Sequence, residues 1–130
     1  MRVLFISSRA IARKEIENLA VNEMIKIAQM STSDYLLTSP IICHGLAGVA
    51  AIMKEMYNDT RTPIFLDKAL ELTEHAVKGY NLPHDQHKIS NTVENVFKYD
   101  YVNGYTGIIQ TIYSILFDIP NGNEKRLLIK

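Results

Sequence analysis

The chain carries an internal echo that restricts its fold more than any other feature. His44-Gly45-Leu46-Ala47-Gly48-Val49 lies over Asn103-Gly104-Tyr105-Thr106-Gly107-Ile108 at an offset of 59 residues, and the same offset puts Ile52 on Thr111, Met56 on Ile115 and Asp59 on Asp118. Each copy is a Gly-x-x-Gly step leading into a segment that is apolar nearly all round. In 46–57 the apolar residues are Val49, Ala50, Ile52, Met53 and Met56; in 105–117 they are Ile108, Ile109, Ile112, Ile115 and Leu116. Helices of this kind are buried on most sides. An amphipathic stretch at 63–78 follows the first copy, with the stripe Phe65, Leu66, Ala69, Leu72, Ala76 and Val77. Thr62 is placed as its N-cap, Pro63 at its first helical position and Gly79 just past its end. An apolar inner helix paired with an amphipathic outer one is the unit of an α/α repeat, in which no unit buries its apolar face alone. The expected fold is all-α.

Two further stretches extend the pattern. Ile16, Leu19, Ala20, Met24, Ile27 and Ala28 recur at helical intervals in 14–30, between charged and amide residues. Residues 1–11 read as the end of another inner helix, with a strand as the alternative because the run is short. The Ser/Thr-rich segment 31–40 and the segment 80–103, with Pro83, two His and many Asn and Asp, read as loops.

Composition narrows the function classes. At 130 residues the chain supports one core. Lys plus Arg (14) balances Asp plus Glu (14), and no basic stripe stands out, so the electrostatic case for a nucleic-acid partner is missing. A lone Cys rules out an internal disulfide and fits a reducing compartment. The longest weakly polar stretch, 40–53, contains His44, is closed by Lys54 and falls short of the roughly 20 residues that span a bilayer. The chain is therefore not expected to be transmembrane. The apolar run at 1–6 is too short for the core of a signal peptide.

Cys43-His44-Gly45 is the spot most loaded with chemistry. It falls at or just before a helix N-terminus, where unpaired amides and the helix dipole favour anionic groups. Thiolate and imidazole are preferred zinc ligands, and neighbours in a non-helical turn can face one ion. On residue type alone the alternative stays open: a lone Cys is commonly a small packing residue and a lone His a hydrogen-bonded turn residue. Gly45, Gly48, Gly104 and Gly107 read as structural turn positions that let backbone pass closely. His84-x-x-His87 has metal-compatible spacing but no evident third partner. His75 falls at a packing edge of its helix, and Tyr99, Tyr101, Tyr105 and Tyr113 read as core or interface aromatics. No spacing indicates a Ser-His-Asp set, a phosphate loop or a carboxylate pair, so no catalytic residue is assigned.

The string Ser39-Pro40-Ile41-Ile42-Cys43-His44-Gly45-Leu46-Ala47-Gly48 resembles the Cys-His-Gly-x-x-Gly motif of the lanthionine synthetase C-like family, the cyclases of lanthipeptide (lantibiotic) biosynthesis. Phe65-Leu66-Asp67-Lys68-Ala69 and the second Gly-x-x-Gly copy are similar to the repeats that follow the motif in that family. The resemblance implies an α/α toroid of inner and outer helices with zinc at one end, held in part by Cys43 and His44. It implies addition of precursor-peptide Cys thiols to dehydroalanine or dehydrobutyrine, giving (methyl)lanthionine thioether rings. The precursor peptide is the implied partner, with a dehydratase and an exporter of the same pathway as further candidates. The implied location is cytoplasmic, peripheral at the membrane through such a complex. The family's additional zinc Cys and its acid/base His and Asp belong to repeats upstream and have no counterpart here. Residues 1–130 are thus expected to form a single partial domain, the C-terminal hairpins of a toroid, incomplete alone as a catalyst. The second reading is a non-catalytic truncated remnant or helical interaction module.

Overall fold

Arg13 and Arg61 mark the two places where the chain reverses between paired helices, and each reversal turns on a left-handed residue. A computed structural model of the chain describes residues 1–80 and 100–119. Helix α1 (Arg2–Ala10) is followed by α2 (Lys14–Gln29), and Ala12, at φ 55°, makes the reversal between them. The Arg13 amide closes that turn on the Ser8 carbonyl at 2.8 Å. Helix α3 (Leu46–Thr60) is followed by α4 (Pro63–Tyr80), with Arg61 at φ 56° and its amide 2.7 Å from the Tyr57 carbonyl. Pro63 then starts α4 with the fixed φ that a first helical turn requires. Helix α5 spans Tyr105–Phe117. Among the described residues there is no strand, so the all-α expectation holds, and the start of the chain is helix.

The helices pair as the repeat predicts. α1 packs on α2 and α3 on α4, while α2 lies beside α4 and α3 beside α5. Buried faces follow the sequence stripes: Ala20, Met24 and Ala28 on α2, and Phe65, Ala69, Leu72 and Ala76 on α4, close over Phe5, Ala50, Met53 and Met56. The alanines let the outer helices approach closely while Phe65 and the methionines fill the space between them. This arrangement of helical hairpins is that of an α/α toroid, and none of the described helices is long and apolar enough to cross a membrane.

Charged residues join successive hairpins. The buried Arg2 guanidinium donates to Glu55 at 3.2 Å and Asp59 at 3.1 Å, and the buried Lys54 ammonium donates to Asp118. Asp59 and Asp118 are the repeat-equivalent pair, so each takes a cation from the preceding inner helix.

Several expectations need correction. α4 runs through Gly79 to Tyr80 instead of stopping before the glycine, and α3 continues to Thr60. Segment 31–40 contains a 3-10 turn at Thr32–Tyr35, which Ser31 and Asp34 cap reciprocally. The Tyr35 hydroxyl ties this turn to the Ile27 carbonyl at 2.5 Å. α5 is not covered on most sides: Ile109, Tyr113, Leu116 and Phe117 are exposed. Their counterparts 59 residues earlier include Ala50, buried in the core that α3 shares with α4, and Lys54, buried and paired with Asp118 at the end of α5. Among the described residues no equivalent outer helix lies on α5. His84, His87 and Tyr99 lie outside the described residues.

Candidate functional site

Backbone carbonyls take the place of a side-chain cap at the start of α3. The Leu46 amide donates to the Ser39 carbonyl at 2.9 Å and the Ala47 amide to the Pro40 carbonyl at 3.3 Å. The Gly48 amide donates to the Gly45 carbonyl at 3.2 Å. Residues 39–42 therefore fold back over the helix end before the chain turns through Ile42, Cys43 and His44 into α3. Pro40, Ile41 and Ile42 are buried, while Cys43 and His44 point outward and are exposed. The expectation of unpaired amides beside Cys43 is corrected: the Leu46 and Ala47 amides are used by the fold-back, and the Gly48 and Val49 amides by the Gly45 carbonyl.

The fold-back explains the glycines. A Cβ on Gly45 would strike the carbonyl oxygens of Ser39 and Ile41, and one on Gly48 would strike the carbonyl oxygen of Ile42, all inside the 3.0 Å that real Cβ atoms respect. Gly45 has φ −135° and ψ −172°, an extended conformation open to any residue. Its requirement is one of space and not of backbone freedom.

The second copy rebuilds the same turn. Gly104 caps α5 at φ −124° and ψ −170°, and a Cβ on Gly107 would strike the Tyr101 carbonyl oxygen, the counterpart of Ile42. Asp100 braces this turn by accepting from the amide and the side-chain Nδ2 of Asn103, both at 3.3 Å. The two turns touch directly: the Cys43 amide donates to the Val102 carbonyl at 3.2 Å. Beneath them Ile41, Ala47 and Ile108 form a small apolar cluster apart from the main core, with Ile112 against it.

Cys43 and His44 are thus adjacent, exposed and carried on a turn pinned from two directions. Their sulfur and imidazole are donors that zinc prefers, but a catalytic zinc ordinarily takes three protein ligands. No cluster of three His, Cys, Asp or Glu side chains occurs among the described residues. The pair fits zinc in kind and supplies part of the usual number. His75 is exposed on α4, and Tyr113 is exposed with its ring tilted against that of Phe117, centroids 4.7 Å apart. Neither approaches the role of a ligand, and Tyr101 and Tyr105 are half-buried in the second turn. Reading for chemical side chains alone misses Val102, which acts through its carbonyl; applying the 59-residue offset to Cys43 leads to it.

The family model described as lanthionine synthetase C-like protein matches residues 5–85, which include most of α1, all of α2, α3 and α4, and the Cys43-His44 turn. No curated protein and no solved structure matches the chain.

Proposed function

Because the chain belongs to the lanthionine synthetase C-like family, we propose that Cys43 and His44 are two of the protein ligands of a zinc site in a lanthipeptide cyclase. At the family level the function is of the lanthionine synthetase type, with a peptide substrate. The finer reading is addition of a precursor-peptide Cys thiol to dehydroalanine or dehydrobutyrine. The sulfur bonds to the β-carbon, the thiol gives up its proton and the α-carbon receives one, so the reaction balances without oxidant or reductant. Zinc, when bound, supplies Lewis acidity that favours the thiolate form of the substrate Cys. The chain's own part is to hold the Cys43 sulfur and the His44 imidazole outward on a rigid turn. The observation that carries this reading is the exposure of both side chains on a turn whose backbone is fixed on α3 and on Val102.

A third ligand and the acid/base residues come from outside residues 1–130, so the chain acts as the C-terminal hairpins of the working cyclase. We place that cyclase in the cytoplasm, with the pathway's dehydratase and exporter as assembly partners. The reading is tested by incubating the chain, alone and with the upstream repeats of a family member, with zinc and a dehydroalanine-containing Cys peptide. Ring formation leaves the mass unchanged and removes a free thiol, so protection from alkylation is the readout. Thiols that stay fully alkylable in the complemented mixture rule the reading out.

The exposed apolar face of α5 favours a second reading, a non-catalytic helical interaction module. It predicts self-association without zinc. A monomeric chain whose single sharp unfolding transition moves upward with zinc counts against it.

A further inference from the structure

We infer that the second turn, Tyr101–Gly104 together with Gly107, positions the Cys43–His44 pair, with Gly107 as the residue that permits the contact. The inference rests on the proposed zinc reading and adds to it residues that supply no ligand atom. The Cys43 amide is tied to the Val102 carbonyl at 3.2 Å, across one 59-residue repeat. The residue before it, Ile42, is buried, and its Cγ2 lies 3.1 Å from where a Gly107 Cβ would stand. The Tyr101 carbonyl closes over Gly107 from the other side. A methyl group at 107 therefore meets the backbone of the second turn and the side chain under the first. It has to push the two turns apart or tilt α5. Ile41, Ala47 and Ile108 make the floor that both turns share. Cys43 and His44 are exposed, so the geometry they present follows the backbone between Ile42 and Gly45. Groups that orient metal ligands without touching the metal change affinity by about 10- to 100-fold when altered.

The experiment uses the full chain and its Gly107→Ala and Ile115→Val variants. Ile115 is buried in the same helix, away from the turns, so it reports the effect of lost stability alone. Hydrogen exchange at the Cys43 amide and reactivity of the Cys43 thiol toward a disulfide reagent are measured on each alone, and zinc affinity by competition with a chelator on each complemented with the upstream repeats of a family member. The parent chain is expected to protect the Cys43 amide despite the exposed side chain. Gly107→Ala is expected to lose that protection, change the thiol reactivity and bind zinc about 10- to 100-fold more weakly, while Ile115→Val keeps all three. If Gly107→Ala does not fold, Ile42→Ala, which removes the packing on Gly107 from the other side, is expected to speed Cys43 amide exchange and weaken zinc binding in the same range. Unprotected Cys43 amide in the parent, or zinc affinity in the folded variant equal to the parent's, overturns the inference. Absence of zinc binding in the complemented parent overturns the zinc reading instead, and the amide and thiol measurements still decide the positioning.

Discussion

Arg2 reaches from the first turn of α1 to Asp59 in the last turn of α3, with its Nη2 3.1 Å from Oδ2 of the carboxylate and 3.2 Å from Glu55. Arg2 and Glu55 are both 7% exposed. Removing one partner of such a buried pair leaves the other charge uncompensated, which typically costs about 3–5 kcal/mol. Arg2→Ala is expected to lower the unfolding free energy by that order in a urea titration. The double variant Arg2→Met, Glu55→Leu is expected to recover most of the loss, since an apolar pair of similar size needs no counter-ion.

Gly48 should invert the usual effect of a helical glycine. Replacing glycine by alanine inside a helix ordinarily stabilises by roughly 0.5–1 kcal/mol. Here the added methyl meets the Ile42 carbonyl. Overpacking of this kind costs about 1–3 kcal/mol, and Gly48→Ala is expected to lower the midpoint of denaturant unfolding accordingly. Because Ile42 immediately precedes Cys43, the same variant is expected to alter the reaction rate of the Cys43 thiol.

Acid should weaken the fold through two carboxyls. Hydrogen bonds from Lys68 and then Thr32, both 2.5 Å, hold the Glu71 carboxyl below its usual 4.5. The hydrogen bond from Lys54, aided by its charge, holds Asp118 below 3.8. A carboxyl with a lowered folded pKa stabilises fully above its unfolded value, and the contribution is lost as the pH falls through the folded one. Stability is therefore expected to hold level from neutral pH into the ordinary carboxylate range and then decline. Glu71→Gln is expected to lower stability at neutral pH by under about 1 kcal/mol, because the Glu71 carboxylate is itself partly open to solvent, and to make the acid decline shallower. Asp118→Asn should act in the same direction. Urea titrations across the acid range measure both.

The free face of α5 contributes little to the folded chain. Ile109 and Leu116 are 65% and 59% exposed, so Ile109→Ser and Leu116→Ser are each expected to change stability by no more than about 0.5 kcal/mol. Phe65→Ala, in the fully buried stripe of α4, is expected to cost about 3–5 kcal/mol. Under the second reading, sedimentation of the serine variants should show less self-association than the parent.

Much of this was legible because the repeat and the helical stripes are statements about burial. The Ala69 and Leu72 stripe could only be satisfied by a neighbouring helix, and Pro63 marked where the outer helix begins. The end of α4 was not legible, because Gly79 inside a helix costs only about 1 kcal/mol against Ala, less than continued packing can return. Nor was the exposed face of α5, since Ile109 and Tyr113 match the buried Ala50 and Lys54 of α3 and only what packs beside them separates the two cases. At the site, Cys43 and His44 were visible as side chains. The carbonyls of Ser39, Pro40 and Val102 were not, because backbone acceptors leave no trace in residue type.

Cobalt(II) titration of the parent chain, Cys43→Ala and His44→Ala, each complemented with the upstream repeats of a family member, tests the central claim most directly, since thiolate coordination gives a sulfur-to-metal charge-transfer band that imidazole alone does not. The account predicts that the complemented parent shows the band, that zinc displaces it, that Cys43→Ala weakens its intensity and that His44→Ala keeps it with weakened affinity. A complemented parent without the band, or a band unchanged in Cys43→Ala, would contradict it.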